Sequence, residues 1–425
     1  MAVSTPPAGP RSGRAETSAA PRRGLITAMA AAQAGLYIAL LTPVFSALAL
    51  KIQTIVPPQE QVAALATVSS AGAVAAFLAN PVFGRLSDRT TGRLGRRRPW
   101  MAGGVLGLFA CLAVIALAPN VLVMTVGWFC AQACANAALA AYLSSMADQV
   151  PPARRGKVSG LIGLMQNAGM LAAAYAGHWL GGSMLLLFLV PGVIGLAAVC
   201  VYAVVLPDKP LSRRPAREGG VRTVLRTFWV SPRQHPDFAW AFASRFLIIL
   251  ASYMFTTYRL LYLQQELRLP AAEATGVMAT GVLIYTLVLM AGSQAAGWAS
   301  DRLGGRRKIF VGTATLVFGI GTALLVHVDS VSGFYVAEAV LGLGYGVYIG
   351  VDLALVVDLL PDPDNAAKDL GVFNIANAGP QALAPAVAGL LVGVGGGQHY
   401  GLMLTVAALV CVAGALAVVP IRSVR

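Results

Sequence analysis

Long apolar stretches succeed one another along almost the whole chain, near 25–49, 61–83, 100–118, 121–147, 158–180, 182–206, 236–264, 271–296, 309–327, 332–358, 371–395 and 399–420. A helix needs about 20 apolar residues to cross about 30 Å of hydrocarbon. Inside lipid no water meets the backbone N–H and C=O groups, so each crossing segment must satisfy them internally, as a helix does. Apolar residues make up 57% of the chain and charged residues 11%, against about 25% charge in an ordinary soluble domain. The expected fold is therefore an all-α integral membrane protein with twelve transmembrane helices.

The chain also repeats itself at an offset of about 210 residues. Gly84-Arg85-Leu86-Ser87-Asp88-Arg89 returns as Gly297-Trp298-Ala299-Ser300-Asp301-Arg302, and each is followed by a basic cluster, Arg96-Arg97-Arg98 and then Arg306-Arg307-Lys308. Asp148, Pro151 and Asn167-Ala168-Gly169 return as Asp358, Pro361 and Asn377-Ala378-Gly379. A duplication in so apolar a chain predicts two pseudo-symmetric six-helix bundles, an organisation common among secondary transporters. The expected divisions are a disordered tail over 1–24, an N-terminal bundle over 25–206, a linker over 207–235, a C-terminal bundle over 236–420 and a short tail over 421–425.

The net charge of +14 does not point to nucleic acid, because its distribution follows topology. With twelve spans and both termini on one side, the tail, the 84–99 loop, the 150s loop, the linker and the 297–308 loop all fall on that side with nearly all the basic residues. Only Lys51, Arg245, Arg259 and Arg268 lie elsewhere. This is the positive-inside pattern, so both termini are expected in the cytoplasm. Arg far outnumbers Lys and Ala is abundant, as in GC-rich bacterial genomes, so the expected location is a bacterial cytoplasmic membrane. The five cysteines lie in apolar stretches, where a disulfide framework is not expected.

Gly84-x-Leu86-x-Asp88-Arg89 with its basic run resembles the signature loop of the major facilitator superfamily, and the second copy stands where that superfamily repeats it. The run from Ser87 to Trp100 is similar, more narrowly, to sugar–cation symporters of the glycoside-pentoside-hexuronide and sucrose–proton groups. The resemblance implies alternating access by rocking of the two halves, with helices 1, 4, 7 and 10 around a central cavity. It makes Gly84, Asp88, Arg89, Arg97, Gly297, Asp301, Arg302 and Arg306 candidates for a gating cluster, joined by Asp148 and Asp358 at helix ends. Gly84 would let a neighbouring helix come close and the chain turn. Asp88 would accept bonds from arginines or from a helix N-terminus across the seam. The plainer reading of the cluster is a topology anchor.

Ionisable side chains deep in a bilayer are costly and point to function. The N-terminal half has none well inside its spans; the C-terminal half has Arg245 and Arg259 on helix 7 and Glu338 and Asp352 on helix 10. Each pair is separated by fourteen residues, which returns to nearly the same helix face about 21 Å along the axis. The two helices run in opposite directions, so Arg245 matches Asp352 in depth and Arg259 matches Glu338. Paired, the charges offset each other's burial. A carboxylate alternately paired and released changes its proton affinity, which proton coupling requires. Static salt bridges are the plainer alternative. The acidic residues that melibiose-type symporters carry on early helices are absent, and helix 5 lacks the Gly-Pro motif of drug antiporters.

Polar side chains at depth supply the candidate substrate contacts: Tyr37, Gln132, Asn136, Tyr142, Gln166, Asn167, Tyr253, Asn374, Asn377 and Gln381. Amides donate and accept, which suits a hydroxyl-rich ligand, although each also serves as an interhelical tie. There is no phosphate-cradling Gly-Lys-Ser/Thr loop, no His/Cys metal cluster and no nucleophile–base set. The expected protein is not an enzyme and needs no cofactor beyond the proton gradient. Its expected partners are a small-molecule substrate and the lipid bilayer, with no nucleic acid, and it is expected to act as a monomer. The leading expectation is proton-coupled uptake of a sugar or glycoside. Export of amphipathic compounds stands second, and a non-transporting membrane sensor or scaffold is the reading from another class.

Overall fold

The structure is a computed structural model that describes residues 23–208, 231–302, 307–359, 366–396 and 398–422. Residues 1–22 of the tail expected over 1–24 and residues 209–230 of the linker expected over 207–235 lie outside those residues. Among the described residues twelve long helices follow one another: α1 (Gly24–Gln53), α2 (Gln61–Asp88), α3 (Arg98–Ala116), α4 (Val121–Gln149), α5 (Pro152–Leu180), α6 (Met184–Val205), α7 (Pro236–Gln265), α8 (Ala271–Arg302), α9 (Arg307–Leu324), α10 (Val331–Asp358), α11 (Ala366–Val392) and α12 (Tyr400–Leu416).

Ten of them contain segments long and apolar enough to cross a membrane. The other two are α5, whose first turns hold Arg154, Arg155 and Lys157, and α12, which has 17 residues. Within α1, Pro43 opens a widened π turn over Pro43–Ala47, since proline has no N–H for the regular ladder and its ring crowds the preceding turn. Polar side chains cap the starts of α4, α6 and α10. Asn120 accepts from the Val123 N–H, Ser183 from Leu186 and Ser330 from Gly333, each satisfying a backbone donor left free at a helix start.

Several helices run beyond their apolar stretches. Gly84 to Asp88 form the last turns of α2, and Gly297 to Arg302 those of α8, so both signature motifs begin on helices rather than in the expected loops. Nothing in Leu86-Ser87 or Ala299-Ser300 breaks a helix, and apolarity measures only the part in lipid.

Packing repeats with the sequence. α1 packs on α5 and α6, α2 on α4, and α3 on α4 and α6. Six is the offset to the second set: α7 on α11 and α12, α8 on α10, and α9 on α10 and α12. The seam between halves consists chiefly of α2 against α11 and α5 against α8, with the π turn of α1 touching α7. Large apolar side chains such as Leu122, Val204, Leu390 and Leu409 stand exposed around the outside, where lipid is the solvent.

The contact of α8 with α10 is built on a glycine ridge. A Cβ on Gly342, Gly346 or Gly350 would stand 2.5, 2.3 or 2.5 Å from the carbonyl oxygens of Tyr285, Leu289 and Ser293. Lipid supplies no hydrophobic drive between helices, so close backbone approach supplies the contact instead. The N-terminal bundle closes around larger groups. Tyr142 donates to the Met29 carbonyl at 2.9 Å, and the Tyr202 hydroxyl shares a 2.7 Å bond with Ser145.

The seam is shut at one end. At the end farther from the basic loops, the Gln53 amide donates to Gln264 at 2.6 Å and Gln398 donates to the Pro58 carbonyl at 3.5 Å. On the antiparallel pair α5 and α8, His178 lies 3.1 Å from where a Cβ on Gly276 would stand. Five helical turns toward the basic end, about 27 Å away, Gly160 and Gln294 occupy those same two faces. There the helices part: a Cβ on Gly156, Gly160 or Gly163 would have nothing within 4 Å. Gln294 is exposed, and Trp298 is 60% exposed.

Candidate functional site: two ion pairs and a basic-end cluster

Four charged side chains meet between α7 and α10. Arg245 Nη2 lies 3.0 Å from Asp352 Oδ2, and Arg259 Nε lies 3.1 Å from Glu338 Oε1. The fourteen-residue spacing on each helix brings both pairs together, one toward each end of the C-terminal bundle. Their surroundings differ. The Glu338 side chain is fully buried and that of Arg259 is 7% exposed, whereas that of Arg245 is 19% exposed. The Arg259–Glu338 contact is electrostatic only: neither Glu338 oxygen is aligned for a hydrogen bond. The pair farther from the basic end is therefore sealed in protein rather than wetted.

Aromatic rings hold the guanidinium groups. Arg259 lies 5.1 Å from the Phe255 ring centre and 6.0 Å from that of Tyr285, and Arg245 lies 4.8 Å from Phe373. A cation over a ring face gains about 0.5–2 kcal/mol, most when desolvated. Gly281 on α8 makes room first for the Phe334 ring and then for Glu338, since a Cβ there would stand 2.6 Å from the ring and 3.3 Å from the glutamate Cγ.

The polar residues read as substrate contacts divide into two groups. Gln33, which the sequence reading passed over, donates to Gln166 Oε1 at 3.2 Å, joining α1 to α5. Asn80, also passed over, donates to Asn136 at 3.4 Å, and Asn136 donates to the Gln132 carbonyl at 2.9 Å. Gln33 stands at depth in an apolar helix, so the rule that selected Gln166 would have selected it, whereas Asn80 is exposed near the basic end of α2. Asn167 donates to the Gly163 carbonyl, and Asn377 donates to Asn374. Tyr37, Tyr253 and Gln381 are half-buried. Tyr142 is 1% exposed and its hydroxyl is spent on Met29, which places it in the bundle core.

At the basic end, Arg97 is the hub. Its Nη1 contacts Asp88 at 2.6 Å and donates to Ser87 Oγ at 3.0 Å, while its Nε meets Asp148 at 3.1 Å. Arg96 adds a second contact to Asp148 at 2.6 Å. All of these lie within one bundle. Asp208, which no motif marks, accepts from the backbone N–H groups of Arg97 and Arg98 at 2.6 and 2.9 Å, so a carboxylate meets the positive end of α3. The turning glycine is Gly95 rather than Gly84. Gly95 has φ +92°, and a Cβ there would collide with Asp208. At Gly84 and Gly297 a Cβ would meet nothing nearer than 4.0 and 3.9 Å. Arg89 is exposed.

The second half repeats part of this. Arg98 donates to the Leu206 carbonyl at the end of α6, and Lys308 donates to Val419 and Ile421 just past α12, cations placed on the carbonyl ends of helices. Arg307, the positional counterpart of Arg97, donates to the Ala354 carbonyl at 2.8 Å. Arg302 stacks on Trp298 at 3.9 Å. Arg306 and the side chains of Asp301 and Asp358 lie outside the described residues.

Comparison with known proteins agrees with this architecture. The sequence profile of the Major Facilitator Superfamily matches residues 24–362 and 275–424. The chain belongs to that superfamily, and its fold is that of a membrane transporter. A mutant of the nucleoside transporter NupG superposes with a TM-score of 0.74 at 14% identity, covering 93% of this chain and 99% of that one. A bacterial homologue of the human lysosomal transporter Spinster, inward-facing and unoccupied, gives 0.66 at 13% identity, covering 93% and 94%. The human organic anion transporter TETRAN gives 0.65 at 17%, covering 93% and 99%. At these identities the likeness is one of fold. No curated protein matches the chain by sequence.

Proposed function

We propose that this chain is a secondary active transporter that carries a small organic solute across a bacterial cytoplasmic membrane by alternating access, driven by the proton gradient. On this reading the basic end and both termini face the cytoplasm. The observation that carries the coupling is the pair of buried carboxylates, Asp352 and Glu338, each held by an arginine of α7. A carboxylate paired in one state and released in the other binds its proton differently in the two. Both pairs lie inside the C-terminal half, so release requires α7 to shift against α10 as the halves rock, and that shift links solute passage to proton passage.

The favoured solute is a sugar or glycoside taken up with the proton. The similarity of residues 87–100 to sugar–cation symporters and the amides along α1, α4, α5 and α11 support it. Proton-driven export of amphipathic compounds is the second reading, favoured by the half-buried tyrosines of α7, α8 and α10. The test is accumulation of labelled sugars and glycosides in proteoliposomes under an imposed pH gradient. The wild type is expected to concentrate a solute. Asp352→Asn is expected to lose that accumulation while keeping exchange of solute for solute. Normal pH-driven accumulation in the variant would refute coupling through Asp352.

A further inference from the structure

The tyrosines fall into two populations. Those that brace the bundles are satisfied: Tyr142 donates to Met29, Tyr258 to the Pro385 carbonyl at 2.9 Å, Tyr262 to the Leu325 carbonyl at 2.7 Å, and Tyr400 to Gln265. Tyr37, Tyr253, Tyr285 and Tyr345 are half-buried at mid-depth, and among the described residues their hydroxyls make no hydrogen bond; the same holds for Tyr175 and Tyr335 toward the end farther from the basic loops, and the sealed hydroxyl of Tyr348 also lacks a partner. Unlike that of Tyr348, the hydroxyls of Tyr37, Tyr253, Tyr285 and Tyr345 are not sealed in protein, so these four open onto free space and mark a place.

The place is the middle of the membrane. Tyr345 stands seven residues from Glu338 and seven from Asp352 on the same face of α10, about 10 Å from each. Tyr253 stands between Arg245 and Arg259 on α7. Tyr285 is level with them, because its carbonyl meets the Gly342 position. The Tyr285 and Tyr345 ring centres are 6.4 Å apart. On the other half, α1 meets α7 at its π turn, Pro43–Ala47, which begins within about two turns of Tyr37. One turn along α1 from Tyr37, Gln33 is 2% exposed and its Oε1 has no partner. The layer thus has an aromatic wall on the C-terminal half and an amide-and-hydroxyl wall on the N-terminal half. The two ion pairs that bound it cancel in charge.

We infer that the transported ligand is an uncharged molecule with an aromatic ring attached to a hydroxylated group. The ring stacks among Tyr253, Tyr285 and Tyr345, and the hydroxyls bond to Tyr37, Gln33 and Gln166. This rests on the transporter reading and narrows its substrate from glycosides at large to those with an aryl group. An aliphatic sugar would leave the aromatic wall uncovered. A ligand of either charge would unbalance the two ion pairs.

The test is equilibrium binding to the purified full chain by calorimetry. The probes are matched pairs, the p-nitrophenyl and the methyl glycosides of glucose, galactose and xylose. Stacking of a ring on an aromatic side chain contributes on the order of tenfold or more in affinity. At least one p-nitrophenyl glycoside is expected to bind ten times or more tightly than its methyl partner. Tyr345→Leu is expected to erase that ratio, and Tyr345→Phe to keep it with weaker binding of both members. Equal affinity within every pair, no binding of any aryl member, or an unchanged ratio in Tyr345→Leu overturns the assignment. Binding is read without transport, so these results leave the carrier reading to the proteoliposome test.

Discussion

Glu338→Gln tests how the C-terminal bundle holds its charges. The substitution keeps the side-chain volume and removes the negative charge beside Arg259, a residue 6% exposed. Removing one member of a buried ion pair costs about 3–5 kcal/mol, mostly because the other charge stays buried without a counterion. Phe255 and Tyr285 hold the guanidinium in both proteins, so their contribution cancels and the expected loss stays at about 3–5 kcal/mol. Asp352→Asn strands Arg245, whose side chain is 19% exposed; partial access to solvent screens that charge, so the loss is expected to be the smaller of the two. Replacing both members, Arg259→Met with Glu338→Met, removes the buried charge altogether and is expected to restore most of the stability. Reversible unfolding in mixed micelles, arranged as a double-mutant cycle, measures all three quantities. A Glu338→Gln protein within about 0.5 kcal/mol of wild type, the range of a neutral surface change, refutes the reasoning, as does a double variant weaker than either single one.

Two further outcomes follow from the helix contacts. Gly346→Leu places a side chain where the Leu289 carbonyl stands 2.3 Å from the Cβ position; α8 and α10 must separate, and the yield of folded protein on size-exclusion chromatography is expected to collapse. Gly160→Leu meets open space in this state and is expected to fold normally. Alternating access would bring that face of α5 toward Gln294, so the variant is expected to stay open at the basic end and to lose exchange activity in proteoliposomes.

The sequence was most informative where one physical constraint acts alone. Charge in lipid is costly, so Arg245, Arg259, Glu338 and Asp352 stood out, and helix geometry sufficed to match them by depth. Helix ends were less legible, because apolarity reports the bilayer and not the backbone; Gly84 to Asp88 therefore belong to α2 instead of a loop. Asp208 was invisible, since its partners are backbone N–H groups 110 and 111 residues earlier and no residue type announces them. Gly95 was masked by the more prominent Gly84, although of the two it is Gly95 that has a positive φ. The tyrosine layer was half legible: Tyr37 and Tyr253 stand out as polar groups at depth, whereas Tyr285 and Tyr345 do not. Aromatic residues in apolar helices read as core, and only the pattern of satisfied and unsatisfied hydroxyls separates Tyr345 from Tyr262.

The central claim is that the two halves rock, so that one end of the seam opens as the other closes. Spin labels at Arg154→Cys on α5 and Arg302→Cys on α8 report the basic end; labels at Gln59→Cys and Gln398→Cys report the other end. The native cysteines are replaced by alanine, and the protein is reconstituted in lipid for pulsed dipolar measurement across a range of pH. The account predicts two distance populations at each end, exchanging in opposite senses: as the basic-end distance shortens, the other lengthens. A single unchanging distance at both ends, at every pH and with every ligand that binds, contradicts it.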